Sequence, residues 1–345
     1  APVHPIRGCM RIVHLLLTSR FAGTERHVLE LAAAQAAAGH DVSLVLRRAA
    51  GQPRADAIAQ RVDPKVKIVW VGNLLSTWQA RRVVQRLRPD VAHAHLSKAC
   101  HALRRLRGDG LRVATLHIRY KARQHRDLDG LIAIAPWQLA AIPEPLRSQS
   151  VQIDNWTMPH TADSAARARL RAAYGIDATT VLVGALGRIE RSKGLDVLID
   201  AFHRANLPDA RLAIIGQGRE FKRLRALADA TIIMPGFAAS PQDWLAAFDV
   251  FVSAARSEPF GLVLLEAMQA GLPIVASASE GAQHLATQIG TPLVGIDDAT
   301  ALALALRTAC ATPPARVEYP MARFRIEAKL PQIDAFYRMG LARRG

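Results

Sequence analysis

The chain has 345 residues, half of them apolar and only 5% aromatic, which excludes a disordered protein and allows two globular domains with a core each. Charge is uneven: residues 1–163 hold 24 Lys and Arg against 12 Asp and Glu, and the rest hold 21 against 17. The basic first half predicts an anionic partner, which by charge alone is a nucleic acid, a phosphate-bearing substrate or a negatively charged membrane face.

In the first half of the chain, short β-branched or Leu-rich segments alternate with longer helical patterns. This alternation predicts a parallel sheet covered by helices. Gly39 follows the first predicted helix, where a glycine commonly ends one. The predicted elements are, in chain order, strand 11–17, helix 25–38, strands 42–46 and 67–71, helix 79–87, and strands 91–93, 112–116 and 131–134.

A polar, proline-containing passage at 155–164 interrupts this rhythm, which then begins again. We take it as the boundary between an N-terminal domain, 1–160, and a C-terminal domain, 161–320, followed by a closing segment, 321–345. Two doubly wound halves are expected to bind ligands beyond the carboxyl ends of their strands. The second half is predicted to form strand 181–186, helix 196–204, strand 212–215, helix 220–228, strand 231–233, helix 243–247, strand 250–253, helix 262–270 and a final helix 326–339.

The basic stretch at 104–126 contains Tyr120 but lacks the regular aromatic interleaving that stacks bases, so we expect no nucleic-acid partner. A solvated basic face and docking to an anionic membrane both remain open. The three cysteines, Cys9, Cys100 and Cys310, have no metal or redox spacing, which predicts reduced thiols in a cytosolic protein. The apolar runs are too short or too charged to span a bilayer, so any membrane association is expected to be peripheral.

Two carboxylates, Glu258 and Glu266, flank a Pro-Phe-Gly sequence with seven residues between them. That sequence suits a turn, and good helix formers follow it. Glu258 is therefore expected just before a helix that carries Glu266. Backbone N–H groups at the start of the helix, on Phe260, Gly261 and Leu262, favour an anion or a cluster of sugar hydroxyls. The alternative is an amphipathic core helix with two solvated glutamates.

A second motif follows the strand that is predicted to end at residue 186. It reads Gly-Arg-Ile-Glu-Arg-Ser-Lys-Gly over residues 187–194, which places two cations, Arg188 and Lys193, at a strand-to-helix junction. Gly187 permits close backbone approach, and the two cations suit a diphosphate. The spacing matches neither a Walker loop nor a dinucleotide fingerprint. The alternative is a polar loop with two surface cations.

Together the two motifs resemble those of the retaining GT-B glycosyltransferases of family four, whose second domain carries a Gly-Arg…Lys-Gly loop and a Glu-x7-Glu motif. The likeness extends to a glycine-containing loop after the first strand, the Ile-Gly-x-Gly turn at 215–218 and the Pro-Gly-Phe sequence at 235–237. It implies two Rossmann-like, doubly wound α/β domains facing across a cleft, with a C-terminal helix that crosses back to the first domain. It also implies that the first domain binds the acceptor and the second a nucleotide-sugar donor.

The resemblance implies a role for each residue that matches a motif. Arg188 and Lys193 would hold the donor diphosphate and neutralise charge on the departing nucleotide. Glu266 would accept hydrogen bonds from the ribose hydroxyls. Glu258 would address the sugar ring near the reacting carbon, as positioning and electrostatic support, and Phe237 would lie near the base.

In the first domain the resemblance points to residues at strand ends. Gly23 lies in the loop after the first strand, where the family has a glycine pair that meets the donor phosphate; this chain has Ala22 in place of one glycine. His117 ends a strand where many members present a histidine beside the donor sugar. It could orient or donate to a sugar hydroxyl, or be structural. His93 and His95 also end a strand, and with no third ligand visible we expect no metal site.

The sequence is therefore interpreted as that of a retaining, metal-independent hexosyltransferase without a cofactor. It would move a hexose or hexosamine from a UDP- or GDP-linked sugar to a hydroxyl of a saccharide or lipid-linked glycan, in synthesis of lipopolysaccharide or another envelope or exopolysaccharide. We expect a cytoplasmic protein with peripheral contact at the anionic inner membrane face. The alternatives are a nucleotide-sugar epimerase or hydrolase on the same fold, and a non-catalytic protein that binds glycan or nucleic acid.

Overall fold

The computed structural model describes residues 8–54, 56–104, 106, 108, 110–159, 163–311 and 315–344. This part of the chain divides into two compact units: unit 1 lies within Ala1–Trp156 and Phe324–Gly345, and unit 2 within Thr157–Arg323. The domain boundary that the sequence places between residues 160 and 161 lies outside the described residues. Arg105 and Arg107 of the basic stretch also lie outside them.

The described residues of unit 1 contain one parallel sheet of seven strands. Its inner strands are mostly buried, as expected where helices cover both faces of a sheet. In chain order they are β1 (Arg11–Leu16), β2 (Asp41–Arg47), β3 (Lys67–Val71), β4 (Val91–His95), β5 (Leu111–Leu116), β6 (Gly130–Ala133) and β7 (Val151–Gln152). The spatial order is β3-β2-β1-β4-β5-β6-β7, so the order reverses between β1 and β4. Ligands of such sheets bind at the carboxyl ends of the two strands where the order reverses.

The helices of unit 1 cover both faces of this sheet. They are α1 (Gly23–Ala37), α2 (Ser76–Leu87), α3 (Leu96–Leu103), α4 (Ala122–His125), α5 (Pro136–Ala140) and the C-terminal helix (Ile326–Ala342). Within the described residues of both units, short 3-10 helices occupy Arg48–Gly51, Ala59–Arg61, Arg147–Gln149, Arg191–Lys193 and Met321–Phe324.

The C-terminal helix packs against the sheet of unit 1 beside α1. Phe336 and Tyr337 are buried in a cluster with Ile12 and Val113 of the strands, and each buried side chain of this size contributes about 2 to 3 kcal/mol. Gly340 lets the helix approach the sheet closely, because a Cβ atom there would lie 2.7 Å from the side chain of Leu111 on β5. The last segment of the chain is thus part of the core of unit 1.

The described residues of unit 2 repeat this architecture with a parallel sheet of five strands in the spatial order 3-2-1-4-5. The strands are β8 (Val181–Leu186), β9 (Ala210–Ile215), β10 (Ile232–Gly236), β11 (Val250–Ser253) and β12 (Ile274–Ala276). The helices are α6 (Ala166–Ala173), α7 (Leu195–Ala205), α8 (Phe221–Arg225), α9 (Pro241–Ala247), α10 (Leu262–Gln269), α11 (Glu280–His284), α12 (Ala286–Ile289) and α13 (Ala299–Cys310). The predicted α/β class, with two doubly wound parallel sheets, is confirmed.

Part of the basic stretch in unit 1 serves the fold itself. The guanidinium of Arg112 donates two hydrogen bonds, of 3.0 and 2.7 Å, to the carboxylate of Asp129, and Arg104 donates one of 2.7 Å to Asp127. These cations are neutralised within the unit, so the net charge of the segment overstates the field that a partner meets. Among the described residues, no helix combines the length and apolar character needed to span a bilayer.

Candidate active site

The first half of the site is the loop that joins β8 to α7 in unit 2. Gly187 and Gly194, at its two ends, both have positive φ angles, 147° and 59°. A Cβ atom on Gly194 would lie 1.9 Å from the carbonyl oxygen of Ala254, so only a glycine lets this loop lie against the segment after β11. The 3-10 helix Arg191–Lys193 consequently holds Lys193 beside that segment.

The second half of the site is the turn between β11 and α10. Gly261 precedes α10 with a φ of 90°, and no side chain caps the helix start. Phe260 is buried, its ring 5.5 Å from that of His284, and its backbone lies on Gly281, where a Cβ atom would be 2.3 Å away. Packing of Phe260 against α11 therefore fixes the turn, and the backbone at 260–262 lies at the start of α10, as the sequence predicts.

The two halves meet in one ion pair. Lys193 Nζ donates a short hydrogen bond to the carboxylate of Glu258, and the two side chains are only 22% and 14% exposed. Both residues line a pocket at the carboxyl ends of β8 and β11, together with Gly187 and Arg188. The Arg188 side chain is 70% exposed, with Glu190 at 3.4 Å. The structure therefore brings Arg188, Lys193 and Glu258 to one pocket.

Arg256 connects the two loops, and sequence reasoning missed it. Its guanidinium donates two hydrogen bonds, of 2.8 and 3.0 Å, to Asp196 at the start of α7 and one of 2.5 Å to Asp297. It also reaches the carbonyl oxygen of Arg191 at 2.9 Å. Burial acts against ionisation of Asp196, but the hydrogen bonds and charge of Arg256 outweigh it and hold the pKa of that carboxyl below its ordinary value.

Glu280 supports the same turn from α11. Its carboxylate accepts hydrogen bonds from the backbone N–H of Glu258, at 3.1 Å, and from the hydroxyl of Ser257, at 3.3 Å. The Ser-Glu-Gly sequence at 279–281 is a typical helix start and could have been noted, but its contact with a turn more than 20 residues away could not. Of the other predicted donor residues, Glu266 lies on α10 and is partly buried, and Phe237 follows β10 and is 55% exposed.

In unit 1, histidines from three adjacent strands form a cluster, which we call the histidine cluster: His14, His93, His95 and His117. His14 lies opposite His93 in the pairing of β1 with β4, and His95 lies two residues further along β4 on the same face. His95 Nε2 is 3.0 Å from His14 Nδ1, and His95 Nδ1 is 3.1 Å from His117 Nε2. The first three rings are fully buried and that of His117 is partly exposed.

The sequence indicated no third histidine beside the pair on β4, and this reading is wrong, because His14 occupies that place. The candidate ligand nitrogens of the three rings lie within 4.8 Å of one another. Every nitrogen of these rings also has a hydrogen-bond partner in unit 1. His14 Nε2 is 2.6 Å from Gln35 Oε1, and His93 Nδ1 and Nε2 are 2.6 Å from Tyr337 OH and 2.8 Å from Thr115 Oγ1. Such an arrangement satisfies neutral rings without an ion.

Burial keeps these rings neutral at physiological pH. It lowers the pKa of His14 to about 4 and that of His117 to about 3, from an ordinary value of 6.5. The pKa values of His27, His93 and His95 also lie well below 6.5, first because of burial and then because the neighbouring rings would repel a second charge. The cluster therefore offers hydrogen-bonding nitrogens and no positive charge.

The start of α1 lies in the same unit. Gly23 is the first residue of this 15-residue helix, it is exposed, and no side chain caps the helix end. His27, one turn further on, stacks on Trp156 with ring centroids 3.7 Å apart and meets His117 edge-on at 5.3 Å. His27 Nδ1 is buried and has no hydrogen-bond partner among the described residues. The His27 ring, with this unpaired nitrogen, therefore lies next to the partly exposed ring of His117.

Comparisons with known proteins agree with this architecture. A solved structure of sucrose-phosphate synthase from Thermosynechococcus elongatus superposes with a TM-score of 0.76 at 21% identity, covering 96% of this chain and all of that one. Anabaena HepE in complex with UDP-glucose superposes with a TM-score of 0.68 at 20% identity, covering 97% of this chain and 98% of that one. The fold is thus that of the GT-B glycosyltransferases.

Sequence comparison narrows this class to a family. The chain matches the model of glycosyl transferases group 1 over residues 166–319 and that of glycosyltransferase family 4 over residues 21–184. It is 26% identical over 283 residues to a lipopolysaccharide core biosynthesis glycosyltransferase, LpsE, of Rhizobium meliloti, covering 79% of this chain and 81% of that protein. The chain belongs to the group 1 glycosyltransferases of the GT-B type.

Proposed function

We propose that this protein is a retaining hexosyltransferase that moves a hexose or hexosamine from a UDP- or GDP-linked sugar to a hydroxyl of a saccharide or lipid-linked glycan. The observation that carries the proposal is the meeting of Arg188, Lys193 and Glu258 at one pocket. Two cations and the uncapped start of α10 offer a diphosphate both charge and backbone donors. Glu258 adds an acceptor for sugar hydroxyls at the same place.

The chemistry follows from where charge develops. As the bond to the sugar breaks, negative charge grows on the diphosphate, and Lys193 and Arg188 stabilise it without a metal ion in this proposal. Lys193 is held in advance by Glu258, whereas Arg188 is exposed and can turn onto a phosphate. Attack on the same face, with the leaving phosphate accepting the acceptor's proton, retains the anomeric configuration, and then Glu258 acts as positioning support.

The remaining predicted residues have supporting roles in this proposal. Glu266 accepts hydrogen bonds from the ribose, and Phe237 contacts the base. The backbone N–H groups of residues 260–262 hold the sugar and the phosphate, and Gly23 presents the start of α1 to phosphate. His117 contacts a hydroxyl of the donor sugar.

The acceptor is proposed to be a glycan of the bacterial envelope. The relative LpsE acts in lipopolysaccharide core biosynthesis, and the basic first half of this chain suits a phosphorylated or lipid-linked glycan. Because HepE is known in complex with UDP-glucose, UDP-sugars are the first donors to test.

An exposed apolar patch at the start of α2 supports peripheral membrane contact. Leu74 is 85% exposed, Leu75 73% and Trp78 52%, and the guanidinium of Arg82 lies 4.6 Å from the centre of the Trp78 ring. Arg86 is exposed one turn further along the helix. Apolar side chains flanked by arginines are typical of segments that rest on an anionic bilayer. We therefore propose that this patch contacts the anionic lipid surface that carries the acceptor.

The donor proposal is tested by thermal unfolding with UDP, GDP, ADP and their common sugar conjugates, because a ligand that binds the folded state raises the melting temperature. We expect a rise with one nucleotide, and transfer of its sugar to an envelope glycan fragment with the anomeric configuration retained, read from the anomeric proton coupling by NMR. Inversion would contradict the retaining mechanism. Release or conversion of the sugar without an acceptor would identify a hydrolase or an epimerase.

The membrane proposal is tested by sedimentation with vesicles of phosphatidylcholine, with and without phosphatidylglycerol. We expect binding only to the anionic vesicles, and loss of most of it in Leu74→Ser/Leu75→Ser. Leu304→Ser is the matched control, because Leu304 is 58% exposed on α13 of the other unit. Equal sedimentation of the double variant and the control would show that the patch does not contact the membrane.

A further inference from the structure

Two hydrogen-bond chains in unit 1 begin at the buried side-chain amide of Gln35, on α1. Its side-chain oxygen is 2.6 Å from His14 Nε2, and its nitrogen is 3.5 Å from Tyr337 OH. An amide oxygen can only accept a hydrogen bond and an amide nitrogen can only donate one. The orientation of this one amide therefore gives each chain a direction.

The first chain leads from the amide oxygen to the end of β5. Because Gln35 Oε1 accepts, His14 carries its proton on Nε2, and its Nδ1 is then the acceptor of a neutral ring. That Nδ1 accepts from His95 Nε2–H at 3.0 Å, which leaves His95 Nδ1 to accept from His117 Nε2–H at 3.1 Å. His117, the partly exposed end of the chain, is left with an unprotonated Nδ1.

The second chain leads from the amide nitrogen and agrees with the first. The amide N–H donates to the oxygen of Tyr337, whose O–H donates to His93 Nδ1 at 2.6 Å. His93 then donates from Nε2–H to Thr115 Oγ1 at 2.8 Å. All four rings thus hold their proton on Nε2, the more stable tautomer of a free neutral histidine. Turning the Gln35 amide over would force all four into the less stable form, so the tautomers and the amide support one another.

We propose that Gln35 is a positioning residue that sets His117, through His14 and His95, as a hydrogen-bond acceptor, so that it recognises a substrate hydroxyl that donates to Nδ1. This rests on the proposed function, in which His117 contacts substrate. The chain ends on an amide, which cannot take up a proton, so it holds a tautomer and does not carry protons away. His117 consequently selects a hydroxyl and does not act as a general acid.

The tautomers are read directly by long-range proton–nitrogen correlation NMR of protein labelled with 15N in histidine, at neutral pH. We expect the Nε2–H pattern for the four rings of the histidine cluster, with the His117 signals assigned by their loss in His117→Asn. A proton on His117 Nδ1, or a doubly protonated ring, would overturn the proposal. A stoichiometric metal ion bound by His14, His93 and His95 in the purified protein would overturn it as well.

Gln35→Met keeps the length of the side chain and removes both hydrogen-bonding groups. We expect the His117 signals to shift towards a mixture of tautomers. Gln79→Met is the matched control: Gln79, on α2 of the same unit, also accepts a hydrogen bond through its amide oxygen, from Gly72 N at 2.5 Å, outside the cluster. The control should leave the His117 pattern unchanged. An unchanged pattern in folded Gln35→Met would refute the role of Gln35, and the wild-type spectrum tests the tautomers even if this variant does not fold.

The consequence for substrate is tested with donor analogues in which one hydroxyl at a time is replaced by fluorine, which accepts but cannot donate. The wild type should lose at least about tenfold in kcat/KM for one analogue, and His117→Ala should lose that discrimination. Tolerance of every fluorinated analogue would contradict acceptance by His117. The spectra require no substrate, so the expected tautomers without any sugar transfer would separate failure of the proposed function from failure of the hydrogen-bond chain.

Discussion

Acid should destabilise this protein at pH values well above those at which its carboxylates become protonated. His14 and His117 have pKa values lowered by burial to about 4 and about 3, whereas in the unfolded chain each is expected near 6.5. Below about pH 6.5 the unfolded chain therefore binds protons that the folded protein does not, and the free energy of unfolding falls as the pH falls. Above about pH 7 both states are neutral at these positions, and the contribution disappears.

The size of the stability loss follows from the pH range over which the unfolded chain binds protons and the folded protein does not. Between about pH 7 and pH 5, each of the two rings costs about 2 kcal/mol, so together they remove about 4 kcal/mol from a stability that is typically about 5 to 15 kcal/mol. His27, His93 and His95 act in the same direction, because burial also lowers their pKa values. These three rings therefore add to the loss assigned to His14 and His117.

The assay is urea unfolding at a series of pH values, followed by circular dichroism. The slope of unfolding free energy against pH should correspond to uptake of about two or more protons between pH 6 and pH 5, and His117→Asn should lower that uptake by about one. Stability that is flat between pH 7 and pH 5 would refute the neutral, buried cluster. The carboxyl of Asp196 has an ordinary pKa of 3.8, which the fold lowers further, so this group changes the stability only in more acidic solutions.

Three substitutions test other parts of the structure. Gly194→Ala should cost about 2 to 4 kcal/mol in urea unfolding and weaken nucleotide binding, because a Cβ atom there meets the carbonyl oxygen of Ala254 at 1.9 Å; a neutral effect would contradict the close loop contact. Lys329 Nζ lies 3.5 Å from the carboxylate of Asp154, and both side chains are almost fully buried. Lys329→Met removes that cation from a buried carboxylate, so it should lower the free energy of unfolding by about 3 to 5 kcal/mol, and a melting temperature equal to the wild type's would disprove this. Arg256→Lys should lower kcat with little loss of stability, since lysine cannot reproduce the bidentate contact, and unchanged kinetics would show that the two loops do not depend on it.

The regular elements could be predicted because their patterns are local. The strands at 67–71, 181–186 and 250–253 match the structure at both ends, and the helix after Gly261 begins at Leu262 as expected. These segments combine one clear periodicity with a glycine or a turn at their limits. By contrast, strands β7 and β12 and several helices, including α3 and α13, were not predicted: β7 and β12 have only two and three residues, β4 runs directly into α3, and α13 is an Ala-Leu repeat with few polar positions to mark a face.

Residues of the candidate site could be identified where they are contiguous in the sequence, and not where the site depends on contacts between distant residues. Lys193 and Glu258 stand out in the sequence, but their contact across 65 residues does not. Arg256 looks like one more surface cation until Asp196 is placed opposite it. His14 lies in an apolar strand and resembles core, because only the pairing of β1 with β4 brings it to the other histidines.

Calorimetric titration of the nucleotide into the wild type and Lys193→Ala measures what Lys193 contributes at the proposed diphosphate site of unit 2. Removing Lys193 deletes a charged hydrogen bond and leaves Glu258 to repel the phosphates, so affinity should fall by about 10- to 150-fold at unchanged fold. Lys222→Ala, which removes a lysine from α8 of the same unit, should bind as the wild type does. Equal affinity in wild type and Lys193→Ala would contradict the account.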